Sequence, residues 1–210
     1  MEKSQIIFVV EDDQNMLRLI AAALTHEGLR VQTFSSAAEF LDNFDPQQRG
    51  CLLLDVELPG LSGLELQKDL LSRLVDLPVI FLTGTADVST AVNAMKQGAL
   101  DLLQKPFEIQ TLISAVRRAL EKDSLRHGAS ARLQLLRVRR QRLTPREMEV
   151  MDLVVEGNSN KQIAARLKLS SKTVEIHRSR VMRKMEAGSL AELVRQSIDL
   201  AGTTLTQKSG

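Results

Sequence analysis

The chain should fold as a doubly wound, five-stranded parallel α/β sheet followed by a small all-helical domain. Three observations predict this. Short aliphatic runs alternate with helically spaced apolar residues through residue 120, the sign of the charge changes between the halves, and the last third carries helical patterns only. Alternating strand and helix signals imply parallel βα units, and fully apolar strands imply a sheet covered on both faces.

The elements follow in order. Ile6–Val10 reads as the first strand, and Met16, Leu17, Leu19, Ile20, Ala23 and Leu24 give a helix stopped by Gly28. Leu29–Phe34 is the second strand, with Ser35 or Ser36 able to cap a helix through Phe40 and Leu41. Cys51–Leu54 is the third strand, followed by a loop at Pro59, Gly60 and Gly63 and a helix carrying Leu64, Leu66, Leu70 and Leu71. Val79–Leu82 is the fourth strand, before a helix with Val88, Ala91, Val92 and Met95 that ends at Gly98. Leu102–Gln104 is the fifth, and Leu112, Ile113, Val116 and Leu120 mark its helix. Residues 121–143 read as an extension of that helix, interrupted at Gly128, in which Leu133 and Leu136 share a face.

The final segment opens with Thr144 as N-cap, Pro145 at the first helical position and Glu147 closing a capping box. That helix ends at Gly157. A second spans about 159–167, a third starts near Ser171 with Val174, His177, Val181, Met182 and Met185 inward, and a fourth covers 190–200. A short helix, a tight turn and a longer basic helix make a helix-turn-helix.

The 210 residues are 43% hydrophobic but only 3% aromatic, so an aliphatic core is expected. One Cys and three His exclude a disulfide framework and a Cys/His zinc site, and Cys51 reads as a buried core residue. No apolar stretch approaches the roughly 18 residues of a membrane span, and the N-terminal residues lack a signal-peptide pattern, so a cytoplasmic protein without membrane partners is expected. Residues 1–122 hold 11 Lys and Arg against 17 Asp and Glu, a net −6, whereas residues 123–210 hold 17 against 9, a net +8, together giving the +2 of the chain. An acidic half joined to a basic half predicts two domains with different partners, the basic one suited to nucleic acid.

The strand ends carry the chemistry. The first strand ends in Glu11, Asp12 and Asp13, the third in Asp55, the fourth in Thr83 and the last in Lys105-Pro106. Ligands of open α/β sheets bind outside the carboxyl ends of the strands. Carboxylates there can hold a divalent cation, and a lysine with a hydroxyl can hold a phosphoryl group. The set points to a carboxylate that becomes phosphorylated.

With Val9-Val10-Glu11-Asp12, Leu54-Asp55-Val56-Glu57-Leu58-Pro59-Gly60, Thr83-Gly84 and Lys105-Pro106-Phe107, residues 6–120 resemble the flavodoxin-like receiver domain of two-component response regulators. The resemblance implies that Asp55 accepts phosphate from a sensor histidine kinase. It implies that Glu11, Asp12, Asp55 and the main-chain carbonyl of Glu57 hold Mg2+, and that Lys105 and Thr83 contact the phosphoryl oxygens. It further implies a cis Lys105–Pro106 bond. Asp13 reads instead as the start of the first helix. Where the family often has a switching aromatic ring, this chain has Leu102, which cannot perform a ring swing. Glu57 is also unusual and adds an acid near the site.

Residues 143–201 resemble the LuxR-type helix-turn-helix of NarL/FixJ response regulators. The carrying pieces are Leu143–Glu147, Asn160–Ala164, Lys172–His177 and Val181–Met185. Receiver positions including Asp87, Ala91-Val92, Ala94-Met95-Lys96 and Asp101 make the likeness greatest to the FixJ branch. On the third helix the residues left for promoter DNA are Lys172, Thr173, Glu175, Ile176, Ser179, Arg180 and Arg183, with Asn160 and Lys161 touching backbone from the preceding helix. Glu175 can accept from a cytosine amino group and Ile176 can meet a thymine methyl. Lys172, Thr173 and Arg180 suit phosphates. His177 reads as a packed histidine, and Arg137, Arg139, Arg140 and Arg142 as a solvated linker run or as extra contacts to the DNA backbone.

The expectation is a DNA-binding response regulator, not an enzyme. Residues 1–121 form the receiver, 122–142 a helical linker and 143–210 the DNA-binding domain. Phosphorylation of Asp55 drives homodimerisation through the fourth helix and fifth strand, near Val88–Leu103. A phosphohydrolase using the same carboxylates is the rival from another class, but it lacks a second general acid.

Overall fold

The computed structural model describes residues 5–84 and 88–206. Asp87, which carries part of the resemblance, lies outside the described residues, as do the expected domains' end residues 1–4 and 207–210. The chain divides into two compact units, Met1–Arg126 and His127–Gly210.

In the first unit β1 (Ile6–Val10), α1 (Gln14–His26), β2 (Val31–Phe34), α2 (Ala37–Asn43), β3 (Gly50–Asp55), α3 (Gly63–Ser72), β4 (Val79–Thr83), α4 (Val88–Lys96), β5 (Asp101–Gln104) and the start of α5 (Ile109–Gln141) alternate as expected. The sheet runs β2-β1-β3-β4-β5, and every neighbouring pair is parallel. The order reverses between β1 and β3, which places a crevice beyond the carboxyl ends of those two strands.

Strand alternation builds two cores. Phe8, Val10, Leu52, Leu54, Val79 and Phe81 face α2, α3 and α4. Ile7, Val9, Cys51, Leu53, Ile80 and Leu82 face α1 and α5. Burying both faces requires continuous apolar strands, which is why these runs lack polar residues until their last position. The tips that follow are fixed locally. Asp13 caps α1, accepting from the backbone N–H groups of Asn15 and Met16 at 2.8 and 3.2 Å. Ser62 and Glu65 form a capping box at the start of α3. A Cβ on Gly63 would lie 2.1 Å from the main-chain oxygen of Asp55, so only glycine lets α3 begin against the end of β3.

α5 differs from the expectation at one point. It runs 33 residues without a break at Gly128 and carries residues of both units. A lone glycine costs about 1 kcal/mol in helix propensity but keeps its N–H, so the hydrogen-bond ladder survives where a proline would cut it.

The second unit adds α6 (Pro145–Val155), α7 (Asn160–Leu167), α8 (Ser171–Met185) and α9 (Leu190–Thr206). Thr144, Ser159 and Ser170 cap the first three. Leu136, Val150, Met151, Ile163, Val174, Val181, Met185 and Leu193 form their shared core. Lys168 closes α7 in the left-handed region, at φ 53°, and two residues later Ser170 opens α8. Among the described residues no helix is long and apolar enough to cross a membrane.

Candidate functional site

The β1, β3, β4 and β5 ends bring the predicted acids and the lysine together. Lys105 Nζ lies 2.8 Å from Asp55 Oδ2 and 2.6 Å from Glu11 Oε2. Asp55 and Glu11 are buried, whereas Asp12 is exposed. Carboxylate oxygens of Glu11, Asp12 and Asp55 all lie within 4.8 Å of one another. Such an all-oxygen donor set suits a hard divalent cation. The backbone N–H of Glu57 donates to Asp55 Oδ1 at 3.1 Å, so the β3–α3 loop helps orient the acid, while the Glu57 side chain is exposed.

The electrostatics follow from this crowding. Burial pushes the Glu11 carboxyl up to about 7, and the neighbouring Asp55 adds to the effect against the opposing pull of Lys105. Burial works against the Lys105 ammonium, but its bonds to Asp55 and Glu11 outweigh that and raise its pKa. One cation is thus shared between two acids that would repel each other without it.

Thr83 is buried at the end of β4 and sits opposite Gln104 in the sheet register. The Lys105 N–H donates to the Thr83 carbonyl at 2.7 Å, which ties the two strand ends together. The Lys105–Pro106 bond is cis. Leu102 is half-buried against the core on the α2–α4 side, as its place in β5 dictates. The helix beside it has an apolar outer face. Val88, Val92 and Met95 of α4 are 74%, 43% and 51% exposed.

In the second unit, Lys172, Glu175, Ile176, Ser179, Arg180 and Arg183 are exposed on α8, and Thr173 is half-buried. At about 100° per residue, Lys172, Ile176, Ser179 and Arg183 form the middle of that face, with Glu175 and Arg180 on its flanks. Lys172 Nζ lies 3.1 Å from Glu175 Oε2. Lys161 is exposed and Asn160 half-buried at the start of α7. His177 is half-buried.

Of the arginines read as a solvated linker run, Arg139 is largely buried, whereas Arg140 stays substantially exposed. Arg139 pairs with Glu186 at the end of α8, and Arg140 lies 3.9 Å from Asp152 on α6. Arg178 joins the site without a signal in the sequence. Its Nη1 donates to Asn160 Oδ1 at 2.8 Å, joining α8 to α7. Its position one turn after buried Val174 puts it at the edge of the apolar seam, where sequence spacing alone assigns neither core nor surface.

Known proteins match this architecture along the chain. The family described as response regulator receiver domain matches residues 7–117, and the family of bacterial regulatory proteins of the luxR type matches residues 141–197. Nodulation protein W of Bradyrhizobium diazoefficiens is 47% identical over 192 residues, spanning 91% of this chain and 85% of that protein. The transcriptional regulatory protein FixJ of Azorhizobium caulinodans is 43% identical, spanning 96% of this chain and 95% of its own. Among solved structures, the response regulator StyR superposes with a TM-score of 0.84 at 38% identity, covering 92% of this chain and 98% of that one. Full-length FixJ from B. japonicum gives 0.59 at 38% identity, covering 94% and 97%. The shared pattern is that of transcriptional regulators rather than enzymes. With both halves matched in order, the chain belongs to the two-component response regulators that join a receiver domain to a LuxR-type DNA-binding domain.

Proposed function

We propose that Asp55 takes a phosphoryl group from a phosphohistidine of a sensor kinase, and that this switches homodimerisation and promoter binding in the cytoplasm. The observation that carries the reading is Lys105 spanning Asp55 and Glu11 at 2.8 and 2.6 Å on the crevice edge of the sheet. An Asp55 carboxylate oxygen forms the new bond to phosphorus. The phosphorus–nitrogen bond breaks, and its electron pair returns to the imidazole. Lys105 then exchanges its carboxylate partner for a phosphoryl oxygen, and the Thr83 hydroxyl donates to another. Glu11, Asp12, Asp55 and the Glu57 carbonyl would hold Mg2+, which neutralises charge on the transferring group. Incubation of the full chain with a small phosphodonor and Mg2+, read by intact mass, tests the assignment. Wild type should gain one phosphoryl group and Asp55→Asn none. Undiminished labelling of that variant places the acceptor elsewhere.

The receiver is assigned to residues 1–121, a helical linker to 122–142 and the DNA-binding domain to 143–210. Dimerisation is assigned to α4 and β5, because Val88, Val92 and Met95 leave apolar surface exposed. Ala91, Val92, Met95 and Lys96 line a shallow groove of about 440 Å³ there. Leu102 supplies no aromatic switch, so any coupling from Thr83 to the α4–β5 face proceeds without a ring swing. DNA contact is assigned to the exposed α8 face and the first turn of α7. Lys172, Thr173, Arg180, Asn160 and Lys161 meet phosphates, Glu175 and Ile176 meet base edges, and Ser179 and Arg183 lie between them.

A further inference from the structure

We infer that Arg178 is a positioning residue for DNA binding: it fixes the Asn160 side-chain amide so that only its NH2 group faces a DNA phosphate. The inference rests on the reading of α7 and α8 as the DNA-binding elements and extends it to a residue outside the contact face. Asn160 is the first residue of α7, directly after the N-cap Ser159. The cap is satisfied without it. Ser159 Oγ accepts from the Gln162 N–H at 3.4 Å, and Gln162 Oε1 accepts from the Ser159 N–H at 2.7 Å. The Asn160 side chain is turned to α8, where its Oδ1 accepts from Arg178 Nη1 at 2.8 Å.

A free asparagine can present either an acceptor or a donor by turning its amide over. A guanidinium carries donors only, so the atom facing Arg178 has to be the oxygen. The Nδ2 hydrogens are then the group left for an outside partner. Phosphate oxygens only accept, so the fixed orientation matches them and removes the alternative that would meet phosphate oxygen to oxygen.

The charge placement supports the same reading. Arg139, Arg146 and Arg166 of this unit lie against Glu186, Glu149 and Glu156, and Arg180 and Arg183 are exposed, whereas Arg178 is half-buried. Among the described residues Arg178 bonds to Asn160 and to no carboxylate. It stands beside the first turn of α7, which contains no acidic residue and begins with Asn160 and Lys161. The N-terminal end of a helix is already partly positive and favours anions. A half-buried cation there opposes the stability of the free protein and suits an anionic partner.

The test uses the full chain and two duplexes, one enriched from a random pool by the wild-type protein and one unrelated, titrated at several salt concentrations. Asn160→Ala and Arg178→Met should each weaken both duplexes roughly tenfold, the value of one hydrogen bond to a charged group. The double variant should be no weaker than the more severe single. Arg178→Lys, which keeps a donor, should recover most of the affinity. The salt slope should stay near the wild-type value in Arg178→Met. Additive losses, or a slope shallower by about one unit, would mean that Arg178 touches phosphate itself and would overturn the inference. Asn160→Asp keeps the partner of Arg178 and hence the fold, yet replaces the NH2 group by an oxygen. It should bind at least as poorly as Asn160→Ala, and wild-type affinity in that variant also overturns the inference. Lys172→Ala and Arg180→Ala separate the two levels. If these bind normally, the assignment of the α8 face fails. If they weaken binding while the Asn160 and Arg178 singles do not, only the positioning role fails.

Discussion

Lys184 Nζ on α8 lies 2.5 Å from Oε2 of Glu147, a carboxylate of α6 that is only 2% exposed. Burial disfavours the Glu147 charge, but the bonds from Lys184 and from Thr144 outweigh it and hold the carboxyl at about 2. The same carboxylate accepts from the Thr144 N–H at 2.8 Å, so one group closes the capping box and binds two helices.

The stability of the helical unit should therefore fall in acid. Glu147 titrates at about 2 when folded and near 4.5 when unfolded. Its contribution is complete above the unfolded value and is lost as pH falls from about 4.5 to about 2. Glu147→Gln should cost about 1–3 kcal/mol at neutral pH, the scale of a buried hydrogen bond to a charged group. The gap from wild type should close towards pH 2. Calorimetry of both proteins across this range checks it, and a gap independent of pH would contradict the pairing.

A divalent cation should stabilise the receiver through the acid cluster. Adding Mg2+ at 100 times its dissociation constant should contribute about 2.7 kcal/mol, seen as a rise in the receiver's thermal midpoint. Asp12→Asn removes the exposed charged ligand while leaving the Lys105 contacts in place. It should shift the Mg2+ dependence to at least tenfold higher concentration. An identical response in both proteins would remove Asp12 from the ligand set.

The exposed face of α4 should become an interface on phosphorylation. Val92→Glu places a charge among Val88, Ala91 and Met95 without touching the buried Ala94. Sedimentation with and without a phosphoryl analogue should show wild type becoming dimeric and the variant remaining monomeric. A wild-type monomer in both states would sink the proposal, and a dimeric variant would move the interface off this face.

On α8, affinity and specificity should separate by residue type. Lys172→Ala and Arg180→Ala should weaken all sequences alike and make the salt slope shallower by about one unit per phosphate contact. Glu175→Ala should relax one base position by roughly 1–3 kcal/mol, with unspecific binding equal or stronger, because an anion leaves the face of a polyanion. Its 3.1 Å pair with Lys172 makes a further gain available, since the lysine is released for phosphate. Binding-site selection at two salt concentrations measures both effects. An unchanged base preference in Glu175→Ala would limit that residue to its pairing with Lys172.

Much of this protein is legible in local sequence. The strand runs ending in Glu11, Asp55, Thr83 and Lys105 declare both the parallel sheet and the edge at which the site forms, because strand direction carries each terminal side chain to the same side. Asp13, Thr144 and Ser159 declare their helix starts through bonds within three residues. The change from a net −6 to a net +8 along the chain separates the partners of the two halves. Four other features required the packed molecule. Lys105 bridges two acids from different strands, Glu147 binds a lysine 37 residues away, Arg178 donates to Asn160 18 residues away, and Val88, Val92 and Met95 remain outside the core despite their helical spacing. Periodicity specifies the face of an element, since it depends only on backbone repeat. Burial, ion pairing and amide orientation depend on what that face meets, and only tertiary packing supplies the neighbour.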